Sequence, residues 1–536
     1  MTGGNSRMRA GLVSRPLPAR LVSLFGNDRG EGPLKLRNYI GGAWVPSETD
    51  RFAEVVDPAT GEVLALAPNS TEADADRAVE AATKAFWNWR STPLPERVEL
   101  MFALRQKLLD HGDQLAEIIT REHGKALTEA RDELTRGIQY VEDACCVTQT
   151  MRGSYTGDIA HGVDEYTVRE PLGVFLILPP FNFPAMISLY FVWAIVCGNT
   201  TVIKPASPTP ITTHYIVNLA EECGFPPGVI NVLNGSGGSI GDYLVGHPGI
   251  AGVSFVGSSK VGLHIYDTAC AKGKRAQVQG GAKNHVLICE DAVMGPTVKN
   301  VISSCFGHVG ERCFAVSNVL VVESLYDEFK ERFIETAKAL KVGAGMEPDT
   351  AIGPVVSKKA LQKLHDQIES GLAEGATMLL DGRNPQVEGY PDGCFLAPTI
   401  LEAQPGMEIF EEEAFGPVRC FMKVKDIGQA IEIINQNRYG HTACIYTETA
   451  KYARSFMERC NVGQVGVNIG TPAPIAFYAV GGRKLSFFGS TRGRAQDAVD
   501  FYTDKKVAVS RWLRKLDFES ETDKRFPEWS PAAGLW

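Results

Sequence analysis

The chain has 536 residues, of which 44% are hydrophobic and 22% are charged, and its formal net charge is −9. This is ordinary globular composition, the length exceeds what one hydrophobic core supports, and the negative charge argues against nucleic acid as a partner. Twelve cysteines are too few for a disulfide scaffold, and none has zinc-ligand spacing, so we expect reduced thiols and no metal site.

The first 34 residues are rich in arginine (Arg7, Arg9, Arg15 and Arg20) and contain no acidic residue before Asp28. Such a start is typical of a mitochondrial transit peptide or of a disordered bacterial extension. We favour the disordered extension and a cytoplasmic protein, with the mitochondrial matrix as the location in a eukaryote. No apolar run reaches the roughly 18 residues of a membrane span, and the closest, 183–197, favours a buried helix.

The segments that follow predict helices after a short hairpin. Residues 38–45 predict a hairpin with a Gly-Gly turn. A capping-box pattern begins at Thr71, and the helix behind it has apolar residues at helical spacing as far as Trp89. Helical patterns then run through 96–122 and 128–146.

Beyond these helices, short apolar runs alternate with helical segments. The predicted strands are 174–178, 200–203, 229–232, 253–256 and 286–288. A second series starts with a strand at 318–322 and a helix at 325–340, and continues to about Gly466. Strands alternating with helices favour parallel sheets covered on both faces, so we predict two α/β domains.

Cys313 is the candidate nucleophile, because Gly310 and Arg312 precede it. A neighbouring cation and helix-start amides would lower the thiol pKa, and the glycine would permit close backbone approach. Attack on an aldehyde leaves an oxyanion that needs a hydrogen-bond donor, for which the side-chain amide of Asn182 is the candidate. Spacing alone does not bring these residues together, and an inert buried cysteine remains the alternative.

Two strand ends suggest a phosphate site. Gly257 and Ser258 follow a strand and open a helix, where free N–H groups and the helix dipole suit an anion. Lys204 puts a cation at the end of another strand, and ligands of open α/β sheets bind at such ends. A solvated surface lysine is the alternative.

Together these segments resemble the aldehyde dehydrogenase superfamily over about 35–512. Five motifs occur in the family's order: 180–184, Lys204-Pro205, 255–262, the Phe-x-x-x-Gly-Glu-x-Cys pattern of 306–313, and 413–417. The resemblance implies a Rossmann-like cofactor domain, an α/β catalytic domain and a β-strand oligomerisation arm. It also implies a small-molecule aldehyde as substrate, no membrane partner, and a homo-oligomer, either a dimer or a homotetramer.

The same resemblance implies domain bounds and site roles. The N-terminal extension is 1–34, the NAD-binding domain is 35–150 with 172–282, the catalytic domain is 283–482, and the arm is 151–171 with 495–514. Cys313 becomes the nucleophile and Asn182 the oxyanion donor. The residues implied to contact the dinucleotide are Phe181, Lys204, Ser207, Gly257, Ser258 and Glu413, with Glu413 on the nicotinamide ribose.

One departure separates the chain from hydrolytic members of that family. They carry a glutamate that activates water against the thioester, whereas the aligned residue here is Gln279, which accepts no proton. Coenzyme A is then the natural acyl acceptor, as in the CoA-acylating methylmalonate-semialdehyde dehydrogenases, which this chain resembles most. That subfamily's carboxylate-binding arginines match Arg136 and Arg312, and the implied products are propionyl-CoA or acetyl-CoA with CO₂.

Three questions stay open on the sequence. Ser207 stands where the subfamily has a glutamate that grips the adenosine ribose, so NADP is less disfavoured than usual. Glu311, if it pairs with Arg312, would compete with a substrate carboxylate. The alternatives are a hydrolytic NAD(P)-dependent aldehyde dehydrogenase that gives the free acid, and a catalytically silent family member.

Overall fold

The computed structural model describes residues 17–26 and 32–512, which form 17 α-helices and 23 β-strands. In chain order the helices are α1 (Ala19–Phe25), α2 (Glu72–Trp89), α3 (Leu94–Asp110), α4 (Gly112–His123), α5 (Leu127–Cys145), α6 (Val147–Thr150), α7 (Phe191–Val196), α8 (Ile211–Glu222), α9 (Asp242–Gly246), α10 (Ser259–Ala271), α11 (Met294–Phe306), α12 (Tyr326–Lys338), α13 (Lys358–Ala373), α14 (Glu408–Glu411), α15 (Ile427–Gln436), α16 (Ala450–Arg459) and α17 (Ala495–Tyr502). The strands are β1 (Leu34–Lys35), β2 (Asn38–Ile40), β3 (Ala43–Val45), β4 (Phe52–Val56), β5 (Val63–Pro68), β6 (Tyr155–Ala160), β7 (Val163–Pro171), β8 (Val174–Leu178), β9 (Thr200–Ile203), β10 (Ile230–Val232), β11 (Ile250–Val256), β12 (Arg275–Gln279), β13 (Asn284–Ile288), β14 (Val316–Val322), β15 (Thr377–Leu380), β16 (Thr399–Glu402), β17 (Val418–Val424), β18 (Tyr439–Gly440), β19 (Thr442–Tyr446), β20 (Gln464–Val467), β21 (Arg483–Lys484), β22 (Phe487–Phe488) and β23 (Thr503–Arg511).

The first large sheet has eight strands in the order β22-β12-β11-β8-β9-β10-β2-β3. Its five central strands are parallel, and the chain reverses only at the two edges. Every residue of β8 and β9 is buried, because helices pack on both faces: α3, α5, α7 and α8 on one, and α2, α9 and α10 on the other. The carboxyl ends of the parallel strands therefore form one edge where a ligand can bind.

The second large sheet has seven strands in the order β15-β16-β17-β14-β13-β19-β20, and only β15 is antiparallel. Its core is separate from that of the first sheet and includes residues of α11, α12, α13 and α15. The two-domain α/β prediction therefore matches two sheets, each with its own hydrophobic core.

A third sheet, in the order β23-β7-β6, forms the predicted arm. Its faces carry exposed apolar side chains, among them Tyr155, Ile159 and Val507. The arm prediction included 495–502, but these residues form α17, whose apolar face is buried in the core beside the first sheet. Of the residues predicted as the second arm segment, the strand that joins this sheet begins at Thr503.

The local sequence signals were good guides in the helical region. The Thr71 hydroxyl accepts a hydrogen bond from Asp74 N and the Asp74 carboxylate accepts one from Thr71 N, which confirms the capping box. The 38–45 hairpin forms with both turn glycines at positive φ. One prediction failed: 96–122 is two helices, α3 and α4, because the chain leaves helical geometry at His111.

Part of the extension predicted to be disordered is ordered. Helix α1 buries Leu21 and Phe25, and the Phe25 ring packs edge-on against Trp44 with centroids 4.9 Å apart. Arg20 forms a 2.5 Å ion pair with Glu222. The apolar residues of Ala19–Phe25 are spaced so that they bury one face of a helix, although the composition of the whole extension is polar. The other arginines of this extension, Arg7, Arg9, Arg15 and Arg29, lie outside the described residues.

The segment 183–197, the longest apolar stretch, is buried as predicted, although only Phe191–Val196 is α-helical. Within the described residues, no helix has both the length and the apolar character that crossing a membrane requires.

Candidate active site

A cavity of about 750 Å³ lies between the carboxyl edge of the first sheet and the amino edge of the second. Its walls are the loops after β8, β11 and β12 and the segments before β14 and β17. Eight of the ten predicted site residues line it: Arg136, Phe181, Asn182, Gly257, Ser258, Arg312, Cys313 and Glu413. The fold therefore assembles residues that spacing alone could not connect.

Cys313 is half-buried in this cavity, in the connection between a 3₁₀ turn and β14. The preceding backbone is left-handed at His308, Val309 and Gly310, with φ of 54°, 60° and 72°. Positive φ is unusual for a β-branched valine. A Cβ at Gly310 would collide with the Gly416 carbonyl, so the close approach expected there is confirmed.

The expected lowering of the thiol pKa is wrong in sign. The pKa of Cys313 is raised to about 12. Burial is the largest cause, the charge of Glu413 adds to it, and Arg312 only partly opposes them. The helix-start amides are also missing, because Cys313 does not open a helix. The isolated protein therefore holds a protonated thiol, and desolvation outweighs the neighbouring cation.

Asn182 lies on the loop after β8, and its side-chain Nδ2 donates to the Glu311 carbonyl oxygen at 2.9 Å. Since an amide nitrogen carries two hydrogens, one remains for an oxyanion. The Asn182 backbone oxygen accepts from Lys125 Nζ at 2.6 Å. The side chain of Asn182 is thus bound to the segment that carries Cys313, and its backbone oxygen is bound to Lys125.

Lys125 belongs to a buried ion pair that anchors the same loop. Its Nζ is 2.6 Å from Glu133 Oε2, and both side chains are fully buried. Glu133 Oε1 accepts from the backbone N–H groups of Ala185 and Met186 at 2.8 and 3.1 Å. Sequence reasoning missed this pair, although Glu133 falls on the apolar stripe of α5, which was a usable signal.

Glu311 and Arg312, whose pairing would compete with a substrate carboxylate, do not form an ion pair. Glu311 is fully buried, lies 3.5 Å from His123 Nε2, and accepts from Val356 N at 3.3 Å. Arg312 instead donates to the Ser303 and Ser304 carbonyls and to Thr471 Oγ1, at 3.1–3.3 Å. Its guanidinium therefore hydrogen-bonds neutral oxygens, and the carboxylate that acts on its charge is Glu129 rather than Glu311.

Arg136 reaches the cavity from α5, is exposed, and donates to Gln139 Oε1 at 3.2 Å. Asp132 and Tyr140, one helical turn to either side, line the cavity as well. Arg136 can thus meet a ligand while still solvated, whereas Arg312 meets it from a partly buried position.

The residues at the sheet edge fit a dinucleotide. Ser258 caps α10 by accepting from Val261 N, which leaves other first-turn amides for a phosphate. Glu413 Oε1 accepts from Ala282 N at 3.1 Å, and burial raises the pKa of its carboxyl to about 7. A Cβ at Gly281 would lie 2.8 Å from Glu413 Oε2, so a side chain there would displace this carboxylate.

Two predicted cofactor residues lie outside the cavity wall. Lys204 is buried and donates to the Pro205 and Gly235 carbonyls at 2.9 and 3.1 Å, and burial lowers its pKa to about 8. Ser207 is exposed beyond the same strand end. Ala206, between them in sequence, does line the cavity.

Gln279 ends β12 and lines the cavity with 8% of its surface exposed. Its Nε2 lies 3.5 Å from the Tyr190 hydroxyl oxygen. The side chain that this position contributes to the cavity of Cys313 is therefore a neutral amide.

Comparison with known proteins gives consistent results. The model of a family described as the aldehyde dehydrogenase family matches residues 44–508. Malonate-semialdehyde dehydrogenase 1 of Geobacillus kaustophilus is 42% identical over 479 residues, 89% of this chain and 98% of that protein. The malonate-semialdehyde dehydrogenase of Listeria monocytogenes is 41% identical, over 90% of this chain and 98% of that protein.

Solved structures agree with these relatives. A Sinorhizobium meliloti protein assigned as a methylmalonate-semialdehyde dehydrogenase, complexed with NAD, superposes with a TM-score of 0.89 at 34% identity. Methylmalonate-semialdehyde dehydrogenase of Oceanimonas doudoroffii gives 0.88 at 37% identity. Each match covers 90% of this chain and 99% of the other. The predicted fold is therefore confirmed.

Proposed function

The chain belongs to the aldehyde dehydrogenase family, and from that premise we propose that it oxidises a short semialdehyde with NAD and transfers the acyl group to coenzyme A. The family resemblance read from the motifs is confirmed. The preferred substrates are malonate or methylmalonate semialdehyde, and the products are acetyl-CoA or propionyl-CoA with CO₂.

Two arginines beside the nucleophile support a substrate that carries a carboxylate. Arg312 is next to Cys313 in sequence and lines the same cavity as Arg136. A guanidinium binds both oxygens of a carboxylate through its planar fork. The curated relatives are named for malonate semialdehyde, whose carboxylate and aldehyde are separated by one carbon.

The chemistry of the first half-reaction follows from Cys313 and Asn182. The thiol loses its proton, and the thiolate attacks the aldehyde carbon. The free N–H of the Asn182 amide donates to the oxygen that becomes negative, and donors of this kind contribute about 10²–10³ in rate. A bound NAD supplies the hydride acceptor. Loss of hydride leaves a thioester on Cys313 that still carries the substrate carboxylate. The carbon–carbon bond to that carboxylate then breaks, CO₂ leaves, and the carbon takes a proton from solvent, so that an acetyl or propionyl thioester remains.

The choice of coenzyme A as the acyl acceptor rests on Gln279. Water is a poor nucleophile without a base, and a neutral amide at this position cannot remove its proton. A thiol acceptor needs less help, because sulfur ionises far more readily than water. The sulfur of coenzyme A therefore takes the acyl group, and Cys313 is released.

The test measures reduced cofactor and acyl product together, with and without coenzyme A. We expect acyl-CoA as the main product, and turnover that stops after about one equivalent of NADH when coenzyme A is left out. Free acid formed at a rate indifferent to coenzyme A would overturn the proposal in favour of the hydrolytic alternative. Cys313→Ala should produce no NADH in either assay.

We also infer that NADP is tolerated, since exposed Ser207 puts no carboxylate beside the position of a 2′-phosphate. The arm supports assembly into a dimer or tetramer, because its open strand edge and exposed apolar side chains offer a surface for a second copy. Kinetics with both dinucleotides and sedimentation equilibrium test these two inferences.

A further inference from the structure

The N-cap of α17, Arg494, and the first residue of that helix, Ala495, have positive φ angles that neither side chain favours. Arg494 has φ of 81° and Ala495 has φ of 53°. Such backbone conformations are strained for residues other than glycine, and strain of this kind persists only where surrounding contacts hold it. Because Arg494 lies at the wall of the cavity, the strain indicates that the turn positions a side chain there.

Contacts with α5 and with the segment that contains Pro474 hold this turn. The Asp143 carboxyl of α5 interacts with the Ala495 N–H, and burial raises the pKa of that carboxyl to about 7. The Arg494 guanidinium lies 4.9 Å over the Tyr140 ring, and its Nη1 donates to the Pro474 carbonyl at 3.1 Å. Arg494 is only 5% exposed, lines the cavity, and has no hydrogen-bond partner for its Nε. The strained turn therefore delivers a buried cation to the cavity that holds Cys313.

The cation lies at the end of the cavity that contains Gln279. Arg494 and Gln279 both act on the Tyr190 hydroxyl, and Gln279 Nε2 lies 3.5 Å from its oxygen. Its neighbour Gly493 is so close that an added Cβ would lie 3.0 Å from Gln279 Nε2. The charge of Arg494 reaches the nucleophile as well, because it lowers the pKa of the Cys313 thiol against the effect of burial.

We propose that Arg494 determines which acyl acceptor the site uses, by favouring an anionic sulfur over neutral water at the Cys313 thioester. The inference rests on the thiol-acceptor function proposed above. In the step concerned, the acceptor thiol gives its proton to solvent and its sulfur bonds to the acyl carbon. The bond from that carbon to Cys313 sulfur then breaks, and Cys313 leaves as a thiolate. Negative charge passes from one sulfur to the other, and Arg494 stabilises it throughout.

Water gains only the part of this effect that comes when Cys313 leaves as a thiolate. Water is neutral when it attacks, and the adjacent side chain, Gln279, cannot take its proton. A unit cation in the same cavity, at an effective dielectric of about 20, favours a thiolate by about tenfold. The cation therefore changes the ratio of thiol to water reaction, whereas a purely structural arginine would leave that ratio alone.

The experiment acylates Cys313 directly with p-nitrophenyl acetate, so neither NAD nor a semialdehyde is needed. The burst of nitrophenolate counts intact sites and corrects for variants that fold poorly. Decay of the acetyl-enzyme is then measured in buffer alone and with 2-mercaptoethanol, for wild type, Arg494→Gln and Arg494→Lys. Arg492→Gln is the matched control, since Arg492 bonds the Gly481 carbonyl and does not line the cavity.

We expect Arg494→Gln to lower the thiol-to-water ratio about tenfold, with Arg494→Lys restoring much of it and Arg492→Gln leaving it unchanged. A ratio in Arg494→Gln equal to that of wild type, per titrated site, overturns the assignment. The proposed function fails separately, if wild-type enzyme makes no acyl-CoA from a semialdehyde while 2-mercaptoethanol still discharges the acetyl-enzyme faster than water.

Discussion

Replacing Lys125 by methionine should damage both the stability of the protein and its active site. Lys125 and Glu133 are fully buried and 2.6 Å apart, and Lys125 also holds the Asn182 carbonyl at 2.6 Å. Removing one member of a buried pair typically costs about 3–5 kcal/mol, because the other charge is left uncompensated. Unfolding a chain of this length has an entropy on the order of 1 kcal/mol/K, so the thermal midpoint should fall by roughly 3–5 °C.

The same substitution should also lower kcat. Without Lys125 the loop that carries Asn182 loses a charged anchor, and a shift of about 1 Å in an oxyanion donor can cost up to about a hundredfold. The assay is thermal unfolding and steady-state kinetics on Lys125→Met, Glu133→Gln and the double variant. The double variant should lose less stability than the two single losses added together, since neither charge is then stranded.

The surface pair of Lys107 and Glu222, 2.8 Å apart and partly exposed, provides the control. Lys107→Met should lower the midpoint by less than about 1 °C, since exposed pairs contribute about 0–1 kcal/mol. Equal losses for Lys125→Met and Lys107→Met, or a kcat unchanged in Lys125→Met, would refute the reasoning about this anchor.

Three further predictions concern the cavity. Burial raises the pKa of the Glu413 carboxyl to about 7, so this group ionises as pH rises through neutrality, and its charge then raises the pKa of the Cys313 thiol. Glu413→Gln should therefore speed alkylation of Cys313 by iodoacetamide at pH 8 by up to about tenfold, and should move the pH profile of alkylation to lower pH. An unchanged pH profile would contradict this coupling. Arg312→Gln should raise KM for a semialdehyde at least about tenfold more than KM for propanal, and equal effects would argue against a carboxylate partner. Gln279→Glu should increase hydrolysis of the acyl-enzyme without coenzyme A by about 10²-fold, and no change would show that this residue is not at the base position.

Local signals predicted local structure well. The capping box at Thr71, the turn of two glycines and the fully apolar run of β8 each depend on a few neighbouring residues, so pattern sufficed. The break at His111 gave no comparable warning, because helical spacing continues across it. The structure of 19–25 was missed for the converse reason, since a short apolar stripe was hidden in a polar segment.

The site shows a similar division. Motifs located Cys313, Asn182 and Glu413, but the sign of the thiol pKa depends on how burial and two opposite charges balance, which only the packing reveals. No motif in the sequence singled out Lys125 or Arg494. Their roles follow from burial among partners 8 to 57 residues away for Lys125, and from a strained turn for Arg494.

Trapping the acyl group gives the most direct test of the central claim, that Cys313 carries an acyl group which a thiol, rather than water, removes. The enzyme is mixed with semialdehyde and oxidised cofactor, quenched, digested and analysed by mass spectrometry, before and after a pulse of coenzyme A. The account predicts an acyl mass on the peptide that contains Cys313, which coenzyme A removes within the time in which buffer alone leaves it. An unmodified Cys313 peptide from active enzyme, or an adduct lost as fast in buffer as with coenzyme A, would contradict it.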